Sequence, residues 1–419
     1  MVDTARLSAA VATARQEYED LKTRGLKLDI TRGKPCPDQL DLANEMLALP
    51  GAGDFTAPDA GDLRNYGGAP KGLQQLREIF SPLLGVPVDQ LVARDNSSLA
   101  LMHQCVATSF FHAPGGAASW QGQGVKFLAP SPGYDRHFSV CADLGVEMVV
   151  VPMTAEGPDM DVVERLVADD PTIKGIWCVP KYSNPTGITF SSDVVHRLAV
   201  MTTAAPDFRV YWDNAYALHH LRDVPDVLDD LLAACAEAGN PDRPFVFAST
   251  SKISWAGAGV SFFASSPANV AWFLAHDGMR SIGPDKVNQL RHVRFFQTSD
   301  GVLMHMAKHR AILEPKFDAV LRQLHERLGD LGVATWTDPR GGYFVSVDLV
   351  PGTAKRVVEL AKAVGVALTP AGATYPYGRD PEDRNLRIAP SFPSAEEVDA
   401  AMRVFTTCVI LAAGEKLLA

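Results

Sequence analysis

The stretch that decides the fold is Ile173-Lys174-Gly175-Ile176-Trp177-Cys178-Val179, followed at once by Pro180-Lys181-Tyr182-Ser183-Asn184-Pro185-Thr186-Gly187. A short run that is apolar along most of its length, closed by Pro, Asn and Gly, reads as a strand buried on both faces. Similar runs recur at Val125–Ala129, Val146–Val151, Arg209–Trp212, Phe245–Ala248 and Val260–Ala264. Helix-compatible stretches separate most of them, for example Asp193–Thr203 and Val227–Glu237. This alternation predicts an α/β fold with a mostly parallel, mixed central sheet and helices on both faces.

Outside this region the pattern changes. Leu7, Val11, Ala14, Tyr18 and Leu21 recur at three- and four-residue steps, which predicts an amphipathic helix over residues 3–24. A loop rich in Gly and Pro follows, from Thr31 to Pro37. Beyond the sheet, Pro315 to Leu331 shows a helical period, and Gly341–Leu349 and Leu386–Ala389 read as strands flanked by helices at Ala354–Val364 and Ala395–Leu411. These last elements describe a smaller α+β unit. No internal repeat or low-complexity tract interrupts the chain.

Composition narrows the function. The 419 residues are 47% hydrophobic and 21% charged, with a net charge of −10 that disfavours nucleic acid or an anionic membrane as the main partner. Two long stretches without Asp, Glu, Lys or Arg, Asn96–Val125 and Ile253–His276, are broken by His, Gln, Pro and Ser, so they read as buried interior and not as membrane spans. The N-terminus has no apolar core of a signal peptide. The six cysteines, Cys36, Cys105, Cys141, Cys178, Cys235 and Cys408, form no C-x-x-C pair. No metal site is expected, and scattered thiols fit a reducing, cytoplasmic setting.

In an open parallel sheet, ligands gather beyond the carboxyl ends of the strands. There the sequence offers Asn184, then Asp213 with Tyr216 after the Arg209–Trp212 run, then Ser249-Thr250-Ser251-Lys252 after Phe245–Ala248. Singly, each has an ordinary reading: a turn, a helix cap, a core tyrosine, a solvated lysine. In combination, lysine, aspartate and tyrosine suit pyridoxal 5'-phosphate. Lysine forms an imine with the aldehyde, and a carboxylate facing the pyridine nitrogen keeps it protonated. Tyr216 and Asn184 supply donors for the ring oxygen. Ser97 and Ser98, ahead of the helix-like Leu99–Phe111, and Ser249 and Ser251 offer hydroxyls and free N–H groups to a phosphate. Ser97 and Ser98 also read as a plain helix cap.

This set resembles the class-I aminotransferases of pyridoxal-phosphate fold type I. The matching elements are Asn184–Gly187, Asp213–Tyr216, Ser249–Lys252 and Arg387 in Asn385-Leu386-Arg387-Ile388-Ala389. The surrounding text is most similar to the Ic subgroup of aspartate aminotransferases. The resemblance implies a large cofactor domain, residues 48–310, set within a small domain built from both chain ends, residues 1–47 and 311–419. It implies a homodimer with shared active sites, transferring an amino group between an amino acid, aspartate foremost, and 2-oxoglutarate by a ping-pong mechanism. Lys252, Asp213 and Tyr216 would be catalytic. Arg387 would hold the α-carboxylate, the Gly33 loop would border it, Tyr134 would stack on the cofactor ring, and Tyr66 would reach the neighbouring subunit's phosphate. Lys286 would meet a distal carboxylate from the partner subunit, with Arg32, Lys34 and Arg136 as rivals. One position departs from the broader family: Gly259 stands where an arginine usually pairs with the phosphate.

Other readings stay open at this level. The same fold serves aminotransferases of other specificity, β-lyases and decarboxylases. A non-catalytic regulator would need an N-terminal DNA-binding module, for which the start of the substrate loop at Thr31 leaves no room. A nicotinamide enzyme is disfavoured because Gly257-Ala258-Gly259-Val260-Ser261-Phe262 breaks G-x-G-x-x-G.

Overall fold

The fold was analysed in a computed structural model that describes residues 3–418. The central sheet has seven strands in the order Leu91–Arg94, Ser261–Ala264, Pro244–Ser249, Arg209–Asp213, Ile173–Cys178, Lys126–Ser131 and Glu147–Pro152. All run parallel except Ser261–Ala264, which is antiparallel to both its neighbours. Alternate residues feed two separate cores. Ile176, Val210, Trp212, Val246 and Phe262 enter one, and Trp177, Tyr211, Phe245, Phe247 and Phe263 enter the other. The two-residue period of a strand, apolar at every step, produces this arrangement. The charge-poor stretches supply the helices Ser98–Phe111 and Pro267–Arg280, which cover the aromatic face. Among the described residues, no helix is long and apolar enough to cross a membrane.

A third core joins the chain ends. Leu7, Val11, Ala14, Tyr18 and Leu21 on the helix Thr4–Lys22 pack with Phe317, Val345, Leu386 and Phe405. The antiparallel strands Ala334–Trp336, Val345–Leu349 and Asn385–Ile388 form the sheet of this part.

Four elements differ from the sequence reading. The edge strand Leu91–Arg94 is only four residues long and was too short to stand out. The helix expected from Pro315 begins at Ser299 and runs to Leu328. Proline costs it a hydrogen bond and a clash, about 3 kcal/mol, but buried residues on both sides, Val302, Met306, Leu313, Phe317 and Val320, hold it together. The helix expected over Val227–Glu237 starts at Leu231, where Asp230 caps the Ala233 N–H at 3.1 Å. The strand expected over Gly341–Leu349 joins the sheet only from Val345, although Gly341 forms an isolated bridge with His220.

Candidate active site

Four strand ends and the small antiparallel sheet converge on one cleft of about 470 Å³, with Lys252, Tyr134, Asn184, Tyr216 and Arg387 in its wall. The loop that carries Gly33 closes one side together with Phe344. Of the sequence-predicted set, Gly33, Tyr134, Asn184, Tyr216, Lys252 and Arg387 thus meet, although they are as far apart in the chain as Gly33 and Arg387.

Asp213 is the last residue of its strand and is buried. Its Oδ2 lies 2.9 Å from His137 Nε2, whereas Oδ1 is buried with no partner. An unpartnered buried carboxylate oxygen is costly unless a ligand completes it. His137 is itself fixed by stacking on Trp177, with ring centres 4.4 Å apart. Sequence reading missed His137. It sits three residues past Tyr134 on the first turn of the helix Asp135–Asp143, just beyond another strand end, so the same strand-end rule could have found it.

Lys252 Nζ lies 5.0 Å from the centre of the Tyr216 ring and 6.0 Å from that of Tyr343. Burial lowers its ammonium pKa, and the Asp213 carboxylate opposes that shift only in part. Burial, with the Asp213 carboxylate adding to it, pushes the Tyr134 and Tyr216 hydroxyls well above the ordinary phenol range, so both stay protonated donors.

Arg387 is buried across Phe344, its guanidinium 4.8 Å from the ring centre. One terminal nitrogen donates to Asp135 at 2.9 Å and to the Asn184 side-chain oxygen at 3.1 Å, while Nε has no partner. The Asn184 oxygen is therefore engaged, which leaves its NH₂ as the free group. Asp135 is a second residue that sequence reading did not pick out.

The phosphate candidates Ser97, Ser98, Ser249 and Ser251 do not line this cleft; Ser249 and Ser251 lie by Asn96, just ahead of the helix Ser98–Phe111. Ser97 is the N-cap of the helix Ser98–Phe111, but its hydroxyl makes no capping bond. The Ser249 hydroxyl donates to the Ser251 hydroxyl at 3.1 Å, and Ser251 donates to the Asn96 carbonyl at 3.4 Å. Gly259 is closely confined: a Cβ there would lie 3.0 Å from the Thr250 hydroxyl and from the Trp255 carbonyl. The nearby arginines are engaged, Arg280 with Asp95 at 2.6 Å and buried Arg94 with Asp277.

Two predicted residues lie elsewhere. Lys286 is not in the cleft wall; its buried ammonium donates to the Asn65 carbonyl at 2.9 Å and to that of Gly67. Tyr66, between them, is 84% exposed. Arg32, Lys34 and Arg136 do line the cleft.

The family model for aspartate amino-transferase matches residues 2–419. The chain belongs to the aspartate aminotransferase family. It is 52% identical over 416 residues to an aspartate aminotransferase of Corynebacterium glutamicum, covering 99% of this chain and 96% of the other. A crystal structure of an aspartate transaminase from that organism superposes with a TM-score of 0.95 at 52% identity, covering 99% and 98% of the two chains. An α-aminoadipate aminotransferase from Thermus thermophilus, solved with N-(5'-phosphopyridoxyl)-L-leucine, shares the fold at a TM-score of 0.75 and 21% identity, covering 94% of each chain. This enzyme is therefore an aminotransferase; Lys252, Asn184 and Arg387 line one cleft of that fold, and buried Asp213 lies behind it, close enough for its charge to act on Lys252.

Proposed function

We propose that the enzyme is a pyridoxal-phosphate-dependent aspartate aminotransferase that passes the amino group to 2-oxoglutarate. In this reading residues 48–310 form the cofactor domain, residues 1–47 and 311–419 form the small domain, and two copies complete each other's sites through Tyr66. The observation that carries it is the Asp213 carboxylate, with one oxygen fixed by His137 and the other buried without a partner, next to the cleft residues Lys252, Tyr134 and Tyr216 on which its charge acts. A protonated ring nitrogen is the group that such an oxygen suits.

When bound, the cofactor supplies an aldehyde for Lys252 and an electron-withdrawing ring for the substrate Cα. The protein's own groups do the rest. Asp213 holds the ring nitrogen's proton. The Asn184 NH₂ and the Tyr216 hydroxyl donate to the ring oxygen, and Tyr134 covers the ring. Arg387, already oriented by Asp135, takes the α-carboxylate and so fixes the Cα–H bond. Lys252, its ammonium pKa lowered by burial, removes the Cα proton as a neutral amine and returns a proton on the far side of the reaction. Serine hydroxyls and the helix N-terminus receive the phosphate.

Aspartate needs a second cation for its distal carboxylate. Lys286 is occupied by two carbonyls and serves to hold the Tyr66 loop. Arg32 and Arg136 are cleft arginines whose side chains have no partner among the described residues. Their guanidinium groups can hold a carboxylate through two parallel bonds, which a lysine cannot.

Absorbance of the purified, cofactor-loaded protein during amino-acid titration tests the reading. Aspartate shifts the wild-type spectrum and is turned over with 2-oxoglutarate, whereas Lys252→Ala binds aspartate without turnover. Turnover retained in that variant overturns the assignment. The Arg32→Ala/Arg136→Ala pair lowers the preference for aspartate over alanine by on the order of 100-fold, and Lys286→Ala does not.

A further inference from the structure

Gln39 is completely buried and belongs to no motif of the site. It lies on the short helix Pro37–Asp41, immediately after the Thr31–Pro35 loop that borders the cleft. Its hydrogen bonds fix its orientation. The side-chain oxygen accepts from the Cys36 N–H at 3.2 Å, so the amide nitrogen must be the donor to its other two neighbours. These are Nδ1 of His309 at 3.0 Å and the Tyr343 hydroxyl at 2.9 Å.

The chain of contacts continues to the lysine. With Nδ1 of His309 accepting, its proton sits on Nε2, 3.0 Å from His305 Nε2. His305 Nε2 is 2.8 Å from the carbonyl of Ile253, the residue that follows Lys252. Burial lowers the pKa of both histidines, so the pair is neutral: His309 Nε2–H donates to His305 Nε2, and the Ile253 carbonyl packs 2.8 Å from that junction. Tyr343 closes the circuit from the other side. Its ring faces the Lys252 amine at 6.0 Å, and a Cβ placed on Gly33 would lie 3.2 Å from Tyr343 Cβ and 2.5 Å from the Phe344 ring. The loop at Gly33 therefore rests directly on Tyr343 and Phe344, and Phe344 in turn supports Arg387.

We propose that Gln39 is a positioning residue of this aminotransferase: through Cys36, Tyr343 and the His309–His305 pair it sets the substrate loop and the Lys252 main chain in one register. The inference rests on Lys252 and Arg387 having the roles given above. A polar network in a dry interior specifies one arrangement, because each bond lost strands its partner without water. Gln39 is the member bonded at once to the substrate loop and to the groups beneath the lysine.

The test uses full-length, cofactor-loaded enzyme and three substitutions: Gln39→Leu, which keeps the volume but removes every bond, Gln39→Glu, which keeps the acceptor for Cys36, and Tyr343→Phe, which keeps the ring under Gly33. Each is read by KM and kcat for aspartate and by the pH midpoint of the bound-cofactor absorbance. Gln39→Leu raises KM about tenfold and moves the midpoint by about half a unit or more. Gln39→Glu keeps the acceptor for Cys36 but loses the donor to His309 and Tyr343, so it moves the midpoint while KM stays within about threefold of wild type. Tyr343→Phe moves both in the direction of Gln39→Leu by a smaller amount. If Gln39→Leu does not fold, the other two decide. Wild-type KM and midpoint in every folded variant overturn the proposal, even where melting temperature falls. A wild-type protein with no cofactor absorbance would instead sink the aminotransferase chemistry itself.

Discussion

At the Asp213 end of the site Asp213, His137, Asn184 and Arg387 are buried and each is held by a neighbour, whereas at the Ser97–Ser251 end the hydroxyls are part-exposed and hold little beyond each other. Asp213 is held by His137, His137 by Trp177, and Arg387 by Asp135 and Asn184. At the other end Ser97 caps nothing, Ser249 and Ser251 face one another, and the nearby arginines are neutralised by Asp95 and Asp277. A buried charge must find its partners within the fold, since water cannot supply them, so the Asp213 end is built in advance. A phosphate brings its own charge and many acceptors, and neutral donors at a helix N-terminus suffice to receive it. In the proposed reading, orientation is concentrated where the proton chemistry would be set, and capacity is left open where the phosphate would be anchored.

The largest effect expected from this contrast is at Asp213. Asp213→Ala removes the charge opposite the ring nitrogen but leaves the strand and its aromatic packing intact. We expect kcat/KM for aspartate to fall on the order of 10³-fold while the cofactor still loads, measured by steady-state kinetics and absorbance. A loss of tenfold or less would mean that the buried, unpartnered oxygen of Asp213 has no catalytic work, and the contrast between the two ends would break.

Much of this arrangement was legible in the sequence because strands buried on both faces leave an unmistakable apolar run, and the residue after each run is then a site candidate. Asn184, Asp213 and Lys252 follow from that rule alone. His137 and Asp135 did not, because they lie on a helical turn whose aim depends on where the helix packs. Lys286 shows the same limit in reverse. Its place in the sequence suited a distal cation supplied by the partner subunit, and only the fold reveals that it also donates to the Asn65 and Gly67 carbonyls. Gln39 was invisible for the same reason: its partners His309 and Tyr343 are about 270 and 304 residues away in the chain.

An intermediate effect sharpens the contrast from behind the lysine loop. His292 is buried, its Nδ1 donates to the Asn288 carbonyl at 2.8 Å, and its Nε2 accepts from Ser254 at 2.9 Å and Thr250 at 3.2 Å. Burial pushes its pKa down to about 4. An unfolded histidine titrates near about 6.5, so between these values the unfolded chain binds a proton that the native one refuses. Stability should therefore fall as pH drops from about 6.5 to about 4 and level off below, by on the order of 1–3 kcal/mol for this residue. Urea unfolding at several pH values checks it. His219 and His309 are displaced in the same direction, so His292→Gln should flatten the slope in part and not abolish it.

The smallest expected effect falls on Ser97, and it separates the two ends most cleanly. Replacing a helix-capping serine by alanine ordinarily costs about 0.5–2 kcal/mol, because an N–H of the first turn loses its acceptor. Ser97 makes no such bond, so Ser97→Ala should leave the melting temperature of the cofactor-free protein nearly unchanged. What it removes is a donor kept for a ligand, and a hydrogen bond to a charged group is worth about 1.5–3 kcal/mol. Cofactor dissociation, followed by equilibrium dialysis, should weaken by about tenfold or somewhat more. The opposite result, a destabilised cofactor-free protein with unchanged affinity, would make Ser97 a cap after all. The phosphate end would then be pre-built like the Asp213 end, and the open capacity ascribed to it would have to be sought among Ser98, Ser249 and Ser251.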